Sequence, residues 1–106
     1  MKTINTSDLS QLLKKGLPRH IELIDVREPF ECAQGIIAGT RCISLSLLPL
    51  HVDSLSREKE YILICRSGNR SAQAGYFLEK QGFTHVTNYE DGMLGWVERE
   101  LPTVLP

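Results

Sequence analysis

Apolar positions along this chain follow two rhythms, short unbroken runs and pairs spaced three or four residues apart. Ile21-Glu22-Leu23-Ile24-Asp25-Val26 and Tyr61-Ile62-Leu63-Ile64 are of the first kind and predict buried strands. His85-Val86-Thr87-Asn88-Tyr89 predicts another strand, and Arg41 to Ser44 a short one. Helical signals lie between them. Thr6-Ser7-Asp8 offers a cap and an acidic first turn; Leu9, Leu12 and Leu13 share a face; Gly16 stops the segment behind Lys14 and Lys15. Pro29 suits the first turn of a short helix ending near Gly35, and Ser46 to His51 predicts a second. Ala72 to Gln81, closed by Gly82, predicts a longer helix, and Leu94 to Glu100 a last one before Pro102 and Pro106. Strands alternating with helices imply an α/β fold with a parallel sheet covered on both faces. Trp96 and Phe77 read as core. Leu45, Leu47, Leu48 and Leu50 read as a buried short helix, with a docking surface as the alternative.

The junction after Ile64 carries the chemistry. Cys65-Arg66-Ser67-Gly68-Asn69-Arg70-Ser71 places one cysteine at the carboxyl end of a strand, in a tight loop ahead of a helix. In open α/β sheets that edge is where ligands bind. The unpaired N–H groups and the positive end of the helix dipole favour an anion there. Arg66 and Arg70 add positive charge, and each effect stabilises a thiolate, the nucleophilic form of cysteine. The alternative is an inert buried cysteine ending a strand. Such a residue does not call for an adjacent arginine, a glycine three residues on and an arginine five on.

These segments resemble the rhodanese-like sulfurtransferases in their small single-domain form. Residues 65–71 look like the family's active-site loop, and Asp25-Val26-Arg27-Glu28 like its Asp-Val-Arg signature, followed by Pro29-Phe30-Glu31. Gly35-Ile36-Ile37-Ala38-Gly39-Thr40 is similar to a Gly-His-Ile-x-Gly-Ala segment, and Gly92 to Trp96 to a Gly-Gly-x-x-x-Trp region. Ile36 stands where the family usually has histidine and Met93 where a second glycine is common; neither supplies the nucleophile, which implies altered packing rather than lost chemistry. The resemblance implies a three-layer α/β/α sandwich around a mostly parallel sheet of about five strands.

It also implies sulfur transfer. Cys65 would take the outer sulfur of thiosulfate or a persulfide and pass it to cyanide or a thiol, small or on a protein. Arg66 and Arg70 would bind the anionic donor, and Ser67, Gly68, Asn69 and Ser71 would supply backbone donors, Gly68 at a positive φ. Four residues separate Cys65 from Arg70, one fewer than in the wider cradle of cysteine phosphatases. That spacing favours sulfur over phosphate and leaves phosphatase and arsenate-reductase readings as minor alternatives. A non-catalytic binding module and a persulfide relay also remain open.

Other residues read as structural. Asp25 suits a turn cap, with pairing to an arginine near the loop as its alternative. Arg27 and Glu28 suit surface pairing. Cys32 and Cys42 suit packing, with persulfide resolution as their alternative. His20, His51 and His85 are scattered, so no metal is expected, nor any cofactor.

Composition bounds the picture. The 106 residues are read as one domain, 1–106, able to bury roughly two-thirds of its unfolded surface. A formal charge of -1 gives no pull toward nucleic acid or acidic membranes, and no apolar run reaches membrane-spanning length. Met1 to Asn5 lacks the apolar core of a secretory signal, and the three cysteines show no Cys-x-x-Cys spacing. A cytoplasmic location is therefore expected.

Overall fold

The computed structural model describes residues 1–106. Its elements, in chain order, are β1 (Lys2–Ile4), α1 (Thr6–Lys15), β2 (Ile21–Asp25), α2 (Pro29–Cys32), β3 (Arg41–Cys42), α3 (Leu48–His51), β4 (Glu60–Ile64), α4 (Asn69–Lys80), β5 (Val86–Tyr89) and α5 (Gly92–Glu98). A 3₁₀ turn, Val52–Ser54, continues α3. The five strands form one sheet in the order β1-β5-β4-β2-β3, and every pairing is parallel.

Alternation along the strands builds two cores. Ile24, Val26, Leu63 and Cys65 pack with Leu48, Ala74 and Leu78, so α3 and α4 cover one face. Leu23, Ile62, Ile64 and Tyr89 pack with Leu9, Met93 and Trp96, so α1 and α5 cover the other. This is the expected three-layer α/β/α sandwich. No helix is long and apolar enough to cross a membrane.

Several expected boundaries move. The strand β1 has no counterpart in the sequence reading: it is three residues long, two of them exposed, and it takes its hydrogen bonds from β5 at the sheet edge. The expected strand at Arg41 to Ser44 shrinks to Arg41–Cys42. Asn5, rather than the residues after it, caps α1, its Oδ1 accepting from the Asp8 N–H at 2.8 Å. Helix α4 starts at Asn69, three residues before the expected Ala72, so the last three residues of the cysteine loop are helical. Helix α5 starts at Gly92, two residues early. Of the leucines expected to be buried near α3, Leu48 is, whereas Leu47 and Leu50 are exposed.

Candidate active site

Strand β4 is the middle strand of the sheet, and Cys65 follows directly from its carboxyl end. The chain then turns at Gly68, whose φ of +93° puts it in the left-handed region. A side chain there would also run into the Glu90 carbonyl, so two constraints select glycine. The turn brings the Gly68 N–H back to donate to Cys65 Sγ at 3.0 Å. Ser71 Oγ, in the first turn of α4, lies 3.2 Å from the same sulfur. The loop is fastened to α5 from outside: Met93 N–H donates to the Cys65 carbonyl at 2.9 Å and Leu94 N–H to the Arg66 carbonyl at 3.0 Å.

Cys65 is buried, and burial pushes its thiol up. The Ser71 hydroxyl and the N–H groups of Ser71, Ser67 and Gly68 outweigh that burial, so the thiol sits below its ordinary value. Arg70 lies close enough for its charge to interact with that of Cys65. The loop thus surrounds the sulfur with groups that favour a thiolate, backbone N–H donors and a hydroxyl, with a cation nearby.

The expected site residues divide. Cys65, Gly68 and Ser71 converge on the sulfur. Arg66, Ser67 and Asn69 are exposed on the outside of the loop, and Arg66 makes no ion pair. Arg70 does not stand free to meet an anionic donor. Its Nη1 and Nη2 donate to Glu31 Oε1 and Oε2 at 2.6 and 2.9 Å. Glu31, in α2, also accepts from the Glu28 N–H at 3.1 Å. The Arg70 guanidinium holds the Glu31 carboxyl down at about 2, below its usual 4.5.

That pair has a pH signature. Because the folded value is depressed, its contribution is complete above about pH 4.5 and disappears as pH falls toward about 2. Denaturant titrations of the protein and of Glu31→Gln are expected to differ by a constant amount above pH 5, and to converge on acidification. A gap that persists unchanged to pH 2.5 would show that ionisation of Glu31 is not its source.

Arg27 corrects another expectation. Instead of pairing at the surface it is 8% exposed, and its guanidinium grips Asp25, which is fully buried. Arg27 Nε reaches both Asp25 oxygens at 3.0 Å, and Nη2 reaches Oδ2 at 2.9 Å and the Gly35 carbonyl at 2.8 Å. Asp25 also accepts from the Arg27 N–H at 3.0 Å, the turn-cap role expected of it. Cys32 is buried, but Cys42 is exposed and not a packing residue. The two line a small pocket with Arg27 and Ser44 that includes neither Cys65 nor its loop. Ile36 is buried and bridges to Val104, and Met93 is buried against the second core, so both departures from the family pattern are packing positions.

One residue escaped the sequence reading altogether. Asn88, buried in β5, accepts from Ser71 Oγ through Oδ1 and donates from Nδ2 to the Gly68 carbonyl at 3.1 Å. Its one sequence signal is an amide on a strand whose neighbours face two cores.

The model of the rhodanese-like domain matches residues 5–99. The chain belongs to the rhodanese-like family. A protein named sulfurtransferase from Allochromatium vinosum is 34% identical over 103 residues, covering 97% of this chain and 94% of its own. The crystal structure of a rhodanese-related protein from Thermoplasma volcanium superposes with a TM-score of 0.85 at 39% identity, over 100% of both chains. The human single-domain sulfurtransferase gives a TM-score of 0.82 at 26% identity, over 93% of this chain and 97% of its own. Rhodanese-like relatives that bear the name sulfurtransferase thus match the chain from end to end.

Proposed function

We propose that the protein is a sulfurtransferase that carries a sulfane sulfur on Cys65. The observation that carries this reading is the cradle around one sulfur: the Gly68 N–H at 3.0 Å and Ser71 Oγ at 3.2 Å, with a thiol held below its ordinary value. Groups that stabilise the Cys65 thiolate favour it both as the nucleophile that takes a sulfur and as the leaving group that gives it up. Cys65 is 1% exposed, so its donor must present the transferable atom on a narrow stem. The outer sulfur of thiosulfate or of a persulfide is such an atom.

In the first half-reaction the Cys65 thiolate attacks that outer sulfur. A new S–S bond forms, the donor's S–S bond breaks, and sulfite or a thiolate leaves with the electron pair. In the second, an acceptor thiolate or cyanide attacks the terminal sulfur and expels the Cys65 thiolate. Arg66 is the cation available to the donor's anionic group. Arg70, already held by Glu31, fixes the loop and contributes charge to the sulfur. A small anionic donor, and a thiol or protein acceptor, fit this division.

Intact-protein mass after incubation with thiosulfate or a glutathione persulfide tests the reading. One added sulfur atom that leaves with cyanide is expected, and none on Cys65→Ser. Failure of both donors to load the protein would overturn it.

A further inference from the structure

The hydrogen bonds around Cys65 contain a conflict that can be counted. Ser71 has one hydroxyl proton. Its Oγ is 3.2 Å from Cys65 Sγ, and in the structure it donates to Asn88 Oδ1. With that proton committed to Asn88, Ser71 can only accept at the sulfur, an arrangement that suits the thiol, whose S–H donates. When Cys65 loses its proton, Ser71 must turn to serve the thiolate, and Asn88 Oδ1 loses its partner. Asn88 cannot move away to ease this. It is 6% exposed, and its Nδ2 is anchored on the Gly68 carbonyl at 3.1 Å.

We infer that Asn88 is a positioning residue that limits how far Ser71 stabilises the Cys65 thiolate, by competing with the sulfur for the single Ser71 hydroxyl proton. The proton goes to Asn88 while Cys65 is a thiol and to sulfur once it is a thiolate. Asn88 therefore biases the resting state toward the thiol. At the same time it holds the Gly68 turn, whose N–H contributes to the low value of the thiol. The charged groups nearest the sulfur are Arg70 on α4, Glu31 on α2 bound to it, Glu28 ahead of α2, whose charge also acts on Arg70, and Arg66 next to Cys65 in the loop, while Asp25 at the end of β2 is paired with Arg27. Thr87 and Asn88 on β5 and Met93 on α5 carry no charge. Glu31 and Arg70 keep their charges through the neutral range, so they do not distort the profile there.

The inference rests on Cys65 being the reactive thiol of the proposed function, but not on sulfur being what it takes. The test is the pH profile of iodoacetamide alkylation, followed at the Cys65 peptide by mass in the full chain. Asn88→Leu frees the Ser71 proton for sulfur. Its midpoint is expected at lower pH than that of the unaltered protein, with alkylation about three to ten times faster on the acid side of the profile. Ser71→Ala is expected to move the midpoint up. In the Ser71→Ala background, Asn88→Leu should produce no further fall, because the proton in dispute is gone.

A purely structural role predicts the opposite sign: losing the Gly68 anchor would loosen the N–H contacts and raise the midpoint. A rise or no change in Asn88→Leu, or an equal fall with and without Ser71, would overturn the inference. If leucine prevents folding, Asn88→Ala carries the same prediction and the same refutation. The expected shifts in the alkylation profiles together with failed sulfur loading would sink the proposed function and leave this inference standing.

Discussion

Replacing Asp25 with alanine is expected to destabilise the protein by about 3–5 kcal/mol, the largest stability loss of any single side-chain truncation near the site. Asp25 is fully buried, and the Arg27 guanidinium it holds is nearly so. Truncation leaves a desolvated guanidinium whose only remaining hydrogen bond is to the Gly35 carbonyl at 2.8 Å. Against a total stability of roughly 5–15 kcal/mol for a domain this size, that loss lowers the unfolding midpoint by about 15–30 °C. The double variant Asp25→Ala, Arg27→Met removes both charges and should recover much of the loss, because the cost lies in the stranded charge. Chemical denaturation of the three proteins measures this. A loss below about 1 kcal/mol in the single variant would mean that the pair contributes little.

Gly92→Ala is expected to damage stability and chemistry together. Gly92 has a φ of +66°, and an added Cβ would overlap the Arg66 carbonyl and the Ser67 nitrogen. Both are backbone atoms of the cysteine loop, so no side chain can rotate out of the way. Either α5 withdraws, losing the Met93 and Leu94 hydrogen bonds, or the loop shifts away from the sulfur. The expected cost is about 2–4 kcal/mol, with Cys65 alkylation or sulfur loading slowed at least about tenfold. Gly16→Ala is the control. Its φ of +95° is also left-handed, but nothing lies within 4 Å of an added Cβ, so backbone strain alone should appear, without loss of reactivity. Equal effects of the two substitutions on Cys65 would refute the overlap as the cause.

The parts of the fold legible in the sequence are those whose own burial sets a local pattern. The runs in β2 and β4 are apolar on both faces because both faces are covered, and such runs are hard to misread. The three-residue β1 carries no such pattern, since it exists by pairing with a strand more than eighty residues away. Helix α4 looked shorter than it is because Asn69, Arg70 and Ser71 have the composition of a loop, while Gly68 ahead of them takes the turn.

The place of Cys65, at the end of a strand and ahead of a helix, was readable in the sequence, since its signals lie within a few residues of it. The partners of the loop were not. Glu31 meets Arg70 across 39 positions, and Asn88 meets Ser71 across 17, and neither distance leaves a trace in local pattern. Arg27 looked like a surface charge because Glu28 follows it directly and Pro29 opens a turn. Its burial follows from its partners, the fully buried Asp25 carboxylate and the Gly35 carbonyl, which draw the guanidinium inward.

The attachment of α5 to the cysteine loop has a consequence for how the protein is made. The loop is synthesised by residue 71, but the amides of Met93 and Leu94 that close it emerge more than twenty residues later. β5, which supplies Asn88, also comes after the loop. At a synthesis rate of roughly 5–20 residues per second, the cysteine spends a second or more on the ribosome before its carbonyl and flanking turn have partners. During that interval it is an ordinary thiol, without the cradle that lowers its affinity for a proton. The surroundings of Cys65 are thus complete only after β5 and the first turn of α5 have been made.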